Sequence, residues 1–257
     1  MPSETTRSLK RAFAIIDCFS LQHSELGVRE VARKLDISSS TAGRLMASLK
    51  DLGVLRQDSS THLYSLGGKV LAWAGVYSSS LDIRASALAI IGELHKNTDE
   101  TVSLYILEGN ERLCVERRES HHSVRIVQRV GRRLPLYAGS AGKVFLAFLP
   151  DERRNQILDQ TDWKAYTENT ITERGKLLIE LEKIRQQNYA VSIGEWILEA
   201  SGVAAPVFNQ QGEIEAALTI SGPAQRFTNE SISKYIKEVT HMAGRISFEM
   251  GYNQNKF

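Results

Sequence analysis

Val28-Arg29-Glu30-Val31-Ala32-Arg33-Lys34-Leu35-Asp36-Ile37-Ser38-Ser39-Ser40-Thr41-Ala42-Gly43-Arg44-Leu45-Met46-Ala47-Ser48-Leu49 is the stretch that decides the reading of this chain. Val28, Val31, Ala32 and Leu35 recur at i, i+3, i+4 and i+7, and so do Ala42, Leu45, Met46 and Leu49. Each set lines one face of a helix with 3.6 residues per turn. Asp36-Ile37-Ser38 is the whole connection, as short as a helix-turn-helix requires. Upstream, Ala12, Ile15, Ile16 and Phe19 form another such stripe. Downstream, Gly53 is a natural helix stop, and Val54 to Leu66 reads as a hairpin. Residues 1–67 are expected to form a winged helix-turn-helix, which presents its third helix to a DNA groove.

The start of that third helix carries the candidate contacts. Ser38 to Thr41 offer hydroxyls to cap free N–H groups, and the same end carries the positive pole of the helix dipole. Ser39, Ser40 and Thr41 allow close approach to a groove floor, and Arg44 can reach guanine O6 and N7 or a phosphate. In the wing, Arg56 and His62 flank a hydroxyl-rich tip and can touch the DNA backbone; Arg11 adds charge on the first helix. Met1 to Gly68 hold nine Lys and Arg against seven Asp and Glu, a weak excess that a twofold dimer doubles. A winged helix used for protein contacts is the alternative.

The chain has 257 residues, 42% hydrophobic and 24% charged, with a net charge of +2. These values speak against a disordered chain and exclude a generally adhesive polycation, so any DNA binding rests on local placement of charge. Cys18 and Cys114 sit in apolar patterns and read as buried residues of a reduced cytosol. No window approaches a membrane span, and the N-terminus has no apolar signal region, so a cytoplasmic protein is expected.

After Gly67-Gly68, Val70, Trp73, Ala74 and Tyr77 repeat the helical spacing. Residues 68–80 read as a linker helix whose stripe would suit a dimer contact or packing on a second domain. That domain, 81–257, opens with a helix carrying Ile83, Ala87, Ile90, Ile91 and Leu94. Alternating runs at Val102–Ile106, Leu113–Val115 and Val124–Val130 predict antiparallel strands. Helices are expected near 142–149, 151–159 and 173–188, strands at 189–193, 203–209 and 214–221, and a closing helix through Ile232 to Ile246. Strands in the middle with helices at both ends indicate an α+β sheet domain.

Within it, Gly139–Lys143 places backbone N–H groups at a helix start, suited to an anion or carbonyl oxygen, or else is a plain tight turn. Thr219 and Ser221 share one strand face. Trp196 beside Glu195 lines a pocket or packs the core. The seven arginines from Arg112 to Arg133 read as a solvated or subunit-facing surface, with effector or DNA contact as the alternative. His121-His122 reads as a surface loop, since no partner stands at metal-ligand spacing, and no metal or other cofactor is implied.

The chain resembles the IclR family of bacterial transcriptional regulators over about residues 8–250. The resemblance is carried by Ser8-Leu9-Lys10-Arg11-Ala12, by Ser39–Met46, and by Leu134-Pro135-Leu136-Tyr137-Ala138-Gly139-Ser140-Ala141-Gly142-Lys143. It continues through Tyr189–Ser192, Val203–Phe208 and Ile220-Ser221-Gly222-Pro223. It implies a GAF-like second domain that binds a small organic effector, carboxylate or aromatic, in dimers or tetramers whose operator affinity the effector changes. It places effector contacts on Leu134, Ser140, Ala141, Ser192, Ala200, Gly202, Thr219 and Ser221, with Glu195 and Trp196 in the loop between. Many members have a run of acidic residues after the Tyr-Ala-Val segment and a cysteine where Gly202 stands. The departure here favours a larger or more aromatic effector. A repressor is the expected role. A constitutive DNA-binding oligomer, or an enzyme using the C-terminal cleft, is the alternative.

Overall fold

The computed structural model describes residues 4–20, 22–79, 82–126 and 129–252. Two compact units result, Met1–Ser80 and Leu81–Phe257.

The first unit holds α1 (Glu4–Asp17), α2 (Val28–Leu35), α3 (Ser39–Asp51), β1 (Leu55–Gln57), β2 (Tyr64–Leu66) and α4 (Gly68–Ser79). Ile15, Val31, Ala32, Ala42, Met46 and Leu49 meet with Leu26, Val54, Leu55 and Tyr64 in one core. Burying each large aliphatic there is worth about 1.5–3 kcal/mol, which fixes the face each helix turns inward. The Glu30 carboxylate accepts the Gly27 N–H at 2.8 Å and closes the start of α2. Asp36, at a φ of 50°, turns the chain out of α2 into the short link. β1 and β2 pair antiparallel, with Leu55 opposite Leu66 and Arg56 opposite Ser65. Along α4, Val70 packs on this core, whereas Leu71, Trp73, Ala74 and Val76 are exposed. The Tyr77 side chain lies outside the described residues.

The second unit runs α5 (Asp82–Thr98), β3 (Thr101–Glu108), β4 (Glu111–Arg118), β5 (Arg133–Pro135), α6 (Ser140–Phe148), α7 (Asp151–Asp159), α8 (Arg174–Gln187), β6 (Ala190–Ile193), β7 (Ala200–Phe208), β8 (Ile214–Pro223), one 3-10 turn and α9 (Asn229–Glu249). The strands form one antiparallel sheet in the order β5-β4-β3-β8-β7-β6. Strand alternation sends Val102, Leu104, Val115, Val203, Ala205, Leu218 and Ile220 to one face, against Ile90, Leu94, Val239 and Ile246 of α5 and α9. The opposite face sends Tyr105, Cys114, Ala204 and Ala217 into a second core with Val144, Phe145, Leu177, Leu181 and Ile184 of α6 and α8. Both faces are therefore interior, and polar residues on the second face are buried as well.

The expected strand over Val124–Val130 is not formed among the described residues, and residues 127 and 128 lie outside them. The free edge of β4 is already taken: Gly131 N–H donates to Cys114 O at 2.8 Å, Cys114 N–H donates to Arg132 O at 3.1 Å, and β5 continues the ladder. The carbonyls of Val124 and Ile126 are bound instead by the guanidiniums of Arg226 and Arg117. Val124 and Val130 are exposed.

Candidate functional site

Two helix starts dominate the chemistry. At the first, Ser38 caps α3: its hydroxyl accepts the Thr41 N–H at 3.2 Å and lies 2.9 Å from the Thr41 hydroxyl. Ala42 and Met46 are fully buried on the inner side, which leaves Ser39, Ser40 and Arg44 exposed on the outer side. The Thr41 hydroxyl is engaged in the cap and only half-exposed, so Ser39, Ser40 and Arg44 form the open surface of the four. In the wing, Arg56 is exposed, but its Nε donates to Ser65 Oγ across the hairpin at 2.9 Å. Asp58 holds the tip by accepting the N–H groups of Ser60 and Thr61 at 2.9 and 2.8 Å, with both hydroxyls, and these bonds hold its carboxyl well below the usual range. His62 is exposed at a φ of 58°, and Arg11 is exposed on α1.

The second helix start, that of α6, lies inside the second unit beside a cavity of about 70 Å³. Ser140, Ala141, Ser192, Trp196, Ala200, Gly202, Thr219 and Ser221 line this cavity. The sheet explains their convergence: Gly202 pairs with Ser192 on one side and Ser221 on the other, and Thr219 pairs with Ser103. Leu134 and Glu195 are not among the lining residues. Leu134 is packed into the core beneath α6. The Glu195 carboxylate is bound by Lys143 Nζ at 2.6 Å and by the Gly139 N–H at 2.9 Å. Lys143 is itself 1% exposed, also donates to Val191 O at 3.1 Å, and lies 3.4 Å from Glu180. A helix start free to meet a ligand, the expectation from Gly139–Lys143, thus already holds one of the protein's own carboxylates.

Gly139, of the Gly139–Lys143 stretch, and Arg112, of the arginine-rich segment, also line the cavity; Tyr105, Ile126 and Ser201 line it too and were not singled out from sequence. Arg112 and Arg117 depart from the surface role expected for the arginine-rich segment, with Arg112 4% exposed and the Arg117 side chain likewise 4% exposed. Arg112 Nη1 donates to the carbonyls of Pro135 and Ala138, and its Cζ lies 5.7 Å from the centre of the Tyr105 ring. A Cβ on Gly142 would collide with this guanidinium and with the Leu136 carbonyl, so the absence of a side chain there makes the room. Arg117 donates to Ser103 Oγ at 3.1 Å and to the Ile126 carbonyl, and so holds one cavity wall.

Trp196 lines the cavity from the loop between β6 and β7. Its ring sits 4.0 Å from that of Tyr166 and 5.9 Å from the Arg132 guanidinium carbon, and Tyr166 stacks on Tyr137 at 6.0 Å. Thr170 Oγ1 donates to Glu195 O at 2.7 Å and ties the same loop down. His121 and His122 are exposed, and the described residues hold no group of three or more potential metal ligands. A larger open groove, about 1100 Å³, crosses Phe208, His241, Arg245 and Tyr252 and contains none of the candidate residues. No helix among the described residues is long and apolar enough to cross a membrane.

A winged helix-turn-helix with an open third-helix start, in a chain that also carries a helix-flanked antiparallel sheet domain, defines a DNA-binding transcription regulator. The chain belongs to the IclR family: residues 75–248 match the family described as bacterial transcriptional regulator IclR C-terminal, and residues 8–59 match the IclR helix-turn-helix domain. It is similar to the HTH-type transcriptional regulator KipR of Bacillus subtilis, with 32% identity over 96% of this chain and 98% of that protein. The regulator KdgR of Escherichia coli is 31% identical over 99% of this chain and 96% of its own length. Among solved structures, Thermotoga maritima IclR superposes with a TM-score of 0.82 at 32% identity, covering 96% of this chain and 99% of that one. An IclR homologue from Microbacterium hydrocarbonoxydans, solved in complex with 4-hydroxybenzoate, gives 0.83 at 25% identity over 95% and 98% of the two chains. The protein is a transcriptional regulator and not an enzyme.

Proposed function

We propose that this regulator is a cytoplasmic, ligand-responsive repressor. It binds operator DNA through α3 and the wing as a dimer or tetramer, and a small organic effector in the sheet-domain cavity changes that affinity. The observation that carries the reading is the cavity itself, where hydroxyls of Ser140, Ser192, Thr219 and Ser221 and the α6 start converge. Related chains support both halves: one relative is named a transcriptional repressor, AllR of Salmonella typhi, and a homologue holds 4-hydroxybenzoate. The cavity volume, about 70 Å³, favours a compact effector over the larger or more aromatic one that the sequence suggests. On DNA, Ser39, Ser40 and Arg44 approach base edges and nearby phosphates, and Arg56, His62 and Arg11 approach the backbone.

Fluorescence anisotropy on the DNA upstream of the protein's own gene, over a salt series, tests the reading. Saturable, salt-steep and sequence-selective binding is expected, with release or tightening by a small molecule. Ser221→Val should keep the DNA affinity and blunt that response. Binding indifferent to sequence across genomic fragments, with and without added compounds, would contradict it.

A further inference from the structure

We infer that the end of α5 carries a site for a divalent transition-metal ion of the kind imidazole prefers, Zn²⁺ above all, held by the Nε2 atoms of His95 and His121. The sequence around His121 offers no partner at ligand spacing, but the fold brings one from 26 residues upstream, and the two Nε2 atoms lie 3.3 Å apart. Two imidazole nitrogens that each sit about 2.0–2.1 Å from one ion, at a tetrahedral angle, stand about 3.3 Å apart. A straight N–H···N bond describes the contact less well. The separation exceeds the usual range of about 2.7–3.2 Å. The ring centroids, 5.1 Å apart and tilted by 59°, are also closer than rings set end to end across that gap.

His95 is prepared for this role. It is 9% exposed, and its Nδ1 lies 2.9 Å from the Glu100 carbonyl. A carbonyl only accepts, so Nδ1 carries the proton and the neutral ring keeps a lone pair on Nε2, the atom that meets His121. Metal-bound histidines have their second nitrogen fixed in the same way. The segment carrying His121 is held in place beside it: Ser120 Oγ donates to Asp99 O at 2.7 Å, and the Ser120 N–H donates to Thr101 Oγ1 at 3.1 Å. His122 is engaged elsewhere, with its Nε2 3.3 Å from the Asp99 carboxylate. The pair opens on a groove of about 530 Å³ that shares no lining residue with the cavity beside α6. Two imidazoles fill two of the four tetrahedral positions and the groove leaves the others to water, so the ion is exchangeable and ties the end of α5 to the segment after β4. Of the charged groups on the groove, Glu93 is paired with Arg245 at 2.6 Å, and Lys96 and Arg118 are exposed, where water weakens their repulsion of a cation.

The test uses the full chain without an affinity tag, and Zn²⁺ and Co²⁺ as the probes. Thermal unfolding with and without EDTA reads Zn²⁺, and visible absorption reads Co²⁺, for wild type, His121→Ala, His95→Gln and His122→Ala. Wild type should bind a single equivalent and gain roughly 5–10 °C in Tm at about a hundredfold excess of Zn²⁺ over its dissociation constant, a gain that EDTA reverses. His121→Ala, a change at an exposed position, should weaken binding by roughly tenfold or more, and His95→Gln should do the same. His122→Ala should bind as wild type does. Should His95→Gln fail to fold, the contrast between His121→Ala and His122→Ala decides alone. A wild type that binds neither ion saturably, a His121→Ala variant that binds as wild type does, or an equal loss in His122→Ala overturns the site.

Discussion

The starts of α3 and α6 look alike on paper and do opposite things. Both put serines at a helix N-terminus, where unpaired N–H groups and the helix dipole favour an anion. At α3 the cap is local, made by Ser38 with Thr41, and the next hydroxyls face water. At α6 the cap residue is Gly139, and the carboxylate on its N–H arrives from Glu195 in a distant loop. The first start is left open to solvent. The second is shielded, with its charge balanced from within, and only a small cavity remains beside it. Local sequence sets the helix start in both cases; tertiary context decides who supplies the anion.

The largest effect that sharpens this comparison is expected at Lys143. Lys143→Met leaves Glu195 buried without its cation and should cost about 3–5 kcal/mol of stability, read by urea or thermal unfolding. An unchanged melt would show that the α6 start needs no counter-ion. At α3 the reverse pattern is expected. Arg44→Ala should leave Tm unchanged and weaken operator binding by about 1–3 kcal/mol, measured by anisotropy. Unchanged affinity would remove Arg44 from the interface. The two serines give a smaller contrast: Ser38→Ala should cost about 1 kcal/mol, whereas Ser140→Ala, which removes no cap, should stay within about 0.5 kcal/mol. Equal losses would break the distinction between a local and a borrowed cap.

The smallest expected effect concerns Cys114, which burial pushes up to about 11; burial also raises Cys18, at a half-buried position. The neutral thiol is the folded form, so its contribution is complete below the ordinary thiol value of about 8.5. It is lost as pH rises through about 11. At pH 8 a thiol reagent should label Cys18 and reach Cys114 only on unfolding; equal labelling rates would contradict the burial of β4.

The first unit was legible because its information is local. The stripes of α2 and α3, the three-residue link and the Ser38 cap all fall within two dozen residues. The second unit follows the expected element order, but three of its features were hidden. Val124–Val130 alternates like a strand, yet the edge it would join is occupied by Gly131–Pro135, and two arginines bind its carbonyls. Arg112 alternates like a solvent-facing residue because antiparallel sheets commonly wet one face. Here α6 and α8 cover that face, and three helices between β5 and β6 were the available sign of it. The direction of the Glu195 carboxylate could not be read from its loop, since its partner Lys143 is set by contacts far away in the chain.

Hydrogen–deuterium exchange of the full chain, with and without the DNA upstream of its own gene, tests the central claim most directly. DNA should slow exchange at the α3 start, residues 38–44, and at the wing, while the amides of the α6 start keep their exchange rates. Protection that spares residues 38–44 would contradict the account.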